Sequence, residues 1–170
     1  MSKIDKCLKE TTEYSAEDAK FMEMAINLSV ENIDSGGGPF GAVIVRDGEV
    51  IATGANRVVP NSDPTAHAEV MAIREACQKL KTFDLSGCTL YASCEPCPMC
   101  LSSMYWAHIE RYFYAGTQHD AAEIGFDDKF IYDEIAQKPK DRFMPRKQIL
   151  RDATLKVFNT WKNKADKIEY

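Results

Sequence analysis

Residues 88–108 read CTLYASCEPCPMCLSSMYWAH, and the way this stretch divides decides the fold. CTLYAS has the composition of a buried strand, PCPMCLSSMYWAH that of a helix, and the prolines between them break regular structure. The passage from strand to helix carries Cys94, Cys97 and Cys100 at three-residue spacing. Cys97 and Cys100 share one face of the helix's first turn, whereas Cys94 falls before Pro96 on the strand side.

Working outward, ERYFYAGT on the C-terminal side reads as another strand. On the N-terminal side, NSDPTAHAEVMAIREACQKL places Val70, Ile73, Cys77 and Leu80 on one helical face, with Pro64 just ahead of the start. Further upstream, GAVIVRDGEVIATGANRV forms two apolar runs around Asp47-Gly48, the signature of a hairpin. An opening helix runs from Ser15, its N-cap, through Phe21, Met24, Ala25 and Leu28, and stops at the loop DSGGGPFG. After that helix the order is β-α-β-α-β, which predicts an α/β fold with one sheet and helices packed on its faces. DAAEIGFDDKFIYDEI, KQIL and DATLKVFNTWKNKADKIEY predict short helices, a strand at KQIL and a closing helix.

The 170 residues, 45% of them hydrophobic, suit a single domain spanning residues 1–170 with one buried core. No run of about 18 apolar residues occurs, and the start lacks the apolar stretch of a signal peptide, so the expected setting is the cytoplasm. Six cysteines in such a chain point to metal or catalytic use before disulfides. A net charge of -5 argues against a broad nucleic-acid surface; the locally basic KPKDRFMPRKQILR reads as a solvated segment. There is no internal repeat and no phosphate-binding G-x-x-x-x-G-K-[ST] loop.

A catalytic zinc site fills three of four tetrahedral positions with protein and leaves one for water. Of the three histidines, His67 stands at the entrance of a predicted helix in the string H-A-E, with Glu69 two residues on. Within a first helical turn both can surround a point ahead of the helix axis, and Cys97 and Cys100 do the same from the next helix. Both helix N-termini direct partial positive charge at that point, lowering thiol pKa values. The expected metal ligands are therefore His67, Cys97 and Cys100, with Glu69 as the base. Cys94 as a fourth ligand would close the site and leave Glu69 without a role, so it reads as a small core residue nearby. Cys77 reads as core, Cys7 and Cys88 as incidental, and His108 and His119 as surface groups. Phe40, Asn56, Trp106, Asp127, Asp128 and Tyr170 are ordinary by composition alone.

H-x-E followed by P-C-x-x-C is the pattern of the zinc nucleobase deaminases. At TAHAEVMAIREAC and YASCEPCPMCLSSMYWAHIERYFYAG the chain resembles the cytidine deaminase superfamily, and specifically its small guanine deaminases of bacterial type. The likeness continues through GGGPFGAVIV, GANRV, the FDD-x-F-I-Y stretch and the ending W-x-x-x-x-D-K-I-x-Y. It implies a cytidine deaminase-like three-layer α/β/α fold with a central mixed sheet, and one zinc per subunit held by His67, Cys97 and Cys100. Glu69 would shuttle protons, and Phe40, Asn56, Ala68, Trp106, Asp128 and Tyr170 would bind a purine, Asp128 also acting on its exocyclic amine. It further implies a homodimer in which the tail, from about residue 152, swaps so that Tyr170 closes the other subunit's pocket.

The implied reaction is hydrolysis of guanine to xanthine and ammonia. The tRNA adenosine deaminases typically carry a hydrophobic residue where Cys94 stands and a longer basic C-terminal helix, and this chain departs on both. Plant-type guanosine deaminases share SCEPCPMC and a terminal tyrosine, whereas FIYDEI leans toward the free base. Guanosine, cytosine or tRNA-adenosine deamination and a non-catalytic structural zinc domain stand as the alternatives.

Overall fold

The computed structural model describes residues 13–169, which fall into two compact units divided between Asp127 and Asp128. In the first unit, α1 (Ala16–Asp34) begins at Ser15 in a capping box: Ser15 Oγ accepts from the Asp18 N–H, and the Asp18 carboxylate accepts from the Ser15 N–H. Strands β1 (Gly41–Arg46) and β2 (Glu49–Ala55) form the expected hairpin, turning through Asp47 and Gly48, both at positive φ (54° and 77°). A single helical turn, α2 (Val58–Asn61), precedes α3 (Ala68–Leu80). Strand β3 (Thr89–Cys94), α4 (Pro98–Trp106) and β4 (Arg111–Gly116) follow, then the short α5 (Gln118–Glu123).

The sheet order is β2-β1-β3-β4, antiparallel except for the parallel β3–β4 pair that α4 connects. β1 is buried on both faces, and its alternation decides the layers. Val43 and Val45 join Tyr91 beneath Phe21 and Ala25 of α1. Ala42 and Ile44 join Ala52, Leu90 and Ala92 against Ala68, Ala72, Ile73 and Ala76 of α3 and Met104 of α4. The fold is thus the expected three layers around a mixed sheet. Cys88 lies fully buried in the second core, and Cys77 is half-buried against it.

Small residues set the layer spacing. A Cβ on Gly54 would overlap the Ala68 carbonyl oxygen and the Ala72 nitrogen, so the start of α3 lies directly on β2. On the other face a Cβ on Gly41 would overlap the Ala25 carbonyl of α1.

The second unit contains α6 (Lys129–Ala136), a 3-10 turn (Pro139–Asp141) and α7 (Arg151–Lys162). Within it, Phe130 and Phe143 pack edge to face and the Glu134 carboxylate accepts from the Phe143 N–H. The strand expected at KQIL does not form: a strand needs a hydrogen-bonded neighbour, and no described strand pairs with residues 147–150. His119 lies on α5 and is exposed as expected.

Two expectations follow. Gly54→Ala should cost about 1–3 kcal/mol through overpacking and loosen zinc binding by displacing the start of α3. Urea unfolding and zinc titration measure the two effects; wild-type values for both would refute the packing argument. The second concerns Tyr91, whose hydroxyl donates to Asp18 Oδ1 at 2.6 Å. Partial burial would raise the Asp18 carboxyl, but the bonds from Tyr91 and Ser15 outweigh it and hold it below its ordinary value. A depressed carboxyl stabilises above the unfolded carboxylate range, and the contribution disappears as pH falls through the folded pKa. Tyr91→Phe should therefore cost about 1.5 kcal/mol at neutral pH, with a smaller difference from wild type near pH ~3; a difference independent of pH would contradict this.

Candidate metal centre

Two helices begin at the same end of the sheet, and each N-cap carries a metal-ligating side chain. His67 caps α3 with extended backbone (φ -69°, ψ 156°), and Cys97 caps α4 likewise (φ -63°, ψ 168°). Neither side chain bonds its own helix's amides. Both turn toward a shared point instead. Pro98 occupies the first position of α4, where its missing N–H costs nothing, and Cys100 follows on the same turn.

Cys97 Sγ lies 3.6 Å from His67 Nδ1 and 3.5 Å from Cys100 Sγ, and Cys100 Sγ lies 3.5 Å from the same nitrogen. Tetrahedral zinc, with bonds of about 2.3 Å to sulfur and about 2.0 Å to nitrogen, has S···S edges near ~3.8 Å and S···N edges near ~3.5 Å. The donor triangle therefore fits zinc in both size and chemistry. Among the described residues the cluster holds His67, Cys97 and Cys100 and does not include Cys94, whose Sγ donates to the Thr117 carbonyl at 3.6 Å. No disulfide joins the five described cysteines.

The hydrogen bond between the Cys97 and Cys100 sulfurs holds the Cys97 thiol down to about 4 despite its burial. The same bond, with burial, pushes Cys100 up. A divalent cation held here would take both sulfurs as thiolates and release the thiol protons. Glu69, in the first turn of α3, is buried, and Oε2 lies 3.3 Å from Cys100 Sγ. Burial pushes its carboxyl up.

The pocket residues expected from the sequence reach this centre by a chain of backbone bonds. The Arg57 N–H donates to the Ala66 carbonyl at 2.8 Å, joining the end of β2 to the residue before His67. The Asn56 N–H donates to the Phe40 carbonyl at 3.0 Å, and Ser93 Oγ accepts from the Gly41 N–H at 3.0 Å. Phe40 is half-buried and packs edge to face on Phe126 with centroids 4.9 Å apart. Asn56 is buried, and its Oδ1 accepts from the Val58 N–H at 3.3 Å. Ala68 is buried beneath Gly54, while Trp106 ends α4 with 63% of its surface exposed. Asp127 is exposed at the end of the first unit. Asp128 is the N-cap of α6 in the second unit, and Tyr170, like Cys7, lies outside the described residues.

Motif reading does not reach Asn32, Ser93 or Glu95. Glu95 Oε2 accepts from the Gln118 N–H at 3.0 Å, tying the cysteine loop to the start of α5. Asn32 had one legible signal, a polar residue in register with Phe21, Ala25 and Leu28 on the apolar face of α1.

Comparison with known proteins agrees with the geometry. The family described as the cytidine and deoxycytidylate deaminase zinc-binding region matches residues 15–116. The guanine deaminase of Bacillus subtilis (strain 168) is 52% identical over 151 residues, 88% of this chain and 97% of its own. The crystal structure of guanine deaminase from Bacillus subtilis superposes with a TM-score of 0.86 at 51% identity, covering 89% of this chain and 98% of that one. A solved protein in complex with 8-azaguanine is 37% identical, with a TM-score of 0.64, over 74% of this chain and 69% of its own.

Cys97→Ser and Cys100→Ser should each lose zinc on dialysis, whereas Cys94→Ser should keep one zinc per chain. Elemental analysis of the three variants decides; zinc loss from Cys94→Ser alone would reassign the ligands.

Proposed function

Since the chain belongs to the bacterial-type guanine deaminases of the cytidine deaminase-like zinc deaminase superfamily, we propose that it hydrolyses guanine to xanthine and ammonia. The observation that carries this reading is a three-donor cluster with the buried Glu69 carboxylate 3.3 Å from one of its sulfurs. A structural zinc site would need a fourth protein ligand and no such carboxylate.

His67, Cys97 and Cys100 would hold zinc, which when bound would supply a Lewis acid able to make a water beside it acidic near neutrality. Glu69 takes one proton from that water and delivers it to the purine N3 as the oxygen adds to C2. The second proton of that oxygen then passes to the exocyclic amine through Glu69, through Asp128, or through both. The C2–N bond breaks, ammonia leaves, and C2 becomes the carbonyl of xanthine.

Asn56 is the proposed reader of the purine edge. A backbone N–H can only donate, so the Val58 bond fixes Oδ1 and leaves Nδ2 for the ligand; Nδ2 has no partner among the described residues. Phe40 packs against the base, Ala68 and Trp106 line the pocket, and Asp128 contacts the exocyclic amine and ring edge. These roles for Asp128, and for Tyr170 as the closing residue, rest on the resemblance at FDDKFIY and at the chain's end.

The 170 residues act as one catalytic domain in a homodimer, with the tail from about residue 152 exchanged between subunits. Uncovered apolar surface supports the dimer: β4 is an edge strand showing Tyr112 and Tyr114, and Phe130, Ile135, Val157 and Phe158 are exposed on α6 and α7. The proposed substrate is a free purine, with no nucleic acid and no membrane involved, and the proposed location is the cytoplasm. No described helix is long and apolar enough to cross a membrane.

Guanine and guanosine, followed separately by ultraviolet absorbance and ammonia release with zinc-loaded protein, test the assignment. Xanthine from guanine is expected; xanthosine from guanosine with guanine untouched would transfer the activity to the nucleoside. Glu69→Gln should retain zinc and lose about 10²–10⁴-fold in kcat. Near-normal turnover in the zinc-loaded variant would remove Glu69 from the proton path.

A further inference from the structure

Asn32 lies in the last turn of α1 and is 4% exposed. Its Nδ2 donates to the Gly38 carbonyl at 2.8 Å and to the Asn56 carbonyl at 2.7 Å, and its Oδ1 accepts from Arg57 Nη1 at 3.4 Å. Its own carbonyl accepts from the Gly37 N–H at 3.0 Å. One side chain therefore joins the end of α1, the glycine loop that leads to Phe40, and the end of β2 that carries Asn56.

The neighbouring loop is shaped to this amide. A Cβ on Gly37 would overlap Asn32 Nδ2, and a Cβ on Gly38 would lie 3.2 Å from Asn56 Cγ. Because Gly38 backs the Asn56 side chain, a shift of the loop moves the group that faces the purine. Few side chains can replace Asn32. Two backbone carbonyls need two N–H donors from one point, while Arg57 needs an acceptor beside them, and a short primary amide supplies both. A carboxylate of the same shape would face two carbonyls with no proton to offer.

We infer that Asn32 is the positioning residue of the purine site, acting through Asn56 and the Gly37–Phe40 loop and touching neither zinc ligand nor base. The inference rests on the reading that Asn56 binds the purine. It assigns part of substrate selectivity to the far end of α1, an element that contributes no residue to the metal centre.

A double-mutant cycle on the zinc-loaded enzyme tests this, with zinc content and melting temperature recorded for each variant. Asn56→Ala is expected to raise KM for guanine about tenfold through the lost hydrogen bond. Asn32→Asp should raise KM by a similar factor, keeping one zinc per chain and kcat within about threefold. In the Asn56→Ala background Asn32→Asp should add less than about twofold, because residues acting through one contact are not additive. Should Asn32→Asp fail to fold, Asn32→Ser, which keeps one donor, replaces it with a smaller rise in KM and the same non-additivity. Independent, multiplying effects, or loss of kcat and zinc with KM unchanged, would overturn the inference and make Asn32 a purely structural residue. An unchanged KM in Asn56→Ala would instead remove Asn56 as the purine contact, and the inference with it.

Discussion

Three ligands on two separate helices have to meet with an error of roughly half an ångström or less for a tetrahedral ion to bind, and the rest of the fold serves that tolerance. His67 and Cys97 stand at N-caps, where the chain is still extended and the side chain can project ahead of the helix. The distance between the two helix starts is set by the sheet beneath them. Ala68, Ala72 and Ala76 let α3 settle onto β1 and β2, and Gly54 removes the last obstacle to contact. The parallel β3–β4 pair holds both ends of α4, with Met104 fixing its underside.

The same arrangement balances charge. Two thiolates and a carboxylate would repel one another strongly in a buried volume. Here they are gathered at the positive ends of two helices, and a cation held by His67, Cys97 and Cys100 would carry the remaining compensation. Burial opposes ionisation of Glu69, which fits the proton-shuttle role proposed for it.

Much of this was legible in the sequence because its signals are local. Ser15 announces the start of α1 within one turn, Asp47-Gly48 fixes a hairpin, and the H-x-E and P-C-x-x-C strings each lie at a helix start. What the sequence concealed depends on distant partners. α2 is a single turn with no periodicity to detect, closed by Ser62 in a left-handed conformation. KQIL has the composition of a strand, yet pairing is a property of two segments and the second is missing from the described sheet. The orientation of Asn56 depends on the Val58 amide, and the place of Asn32 depends on a carbonyl 24 residues away.

The division of the chain between Asp127 and Asp128 bears on how such an enzyme changes over generations. The matched deaminase region ends at residue 116, so the His67, Cys97 and Cys100 cluster, Glu69 and the strands that space them all lie upstream of that division. Mutations in residues 128–170 leave the sequence of the metal-binding machinery unaltered. The architecture therefore keeps the metal-binding sequence and the tail in separate compact units, on which substitutions can accumulate at different rates.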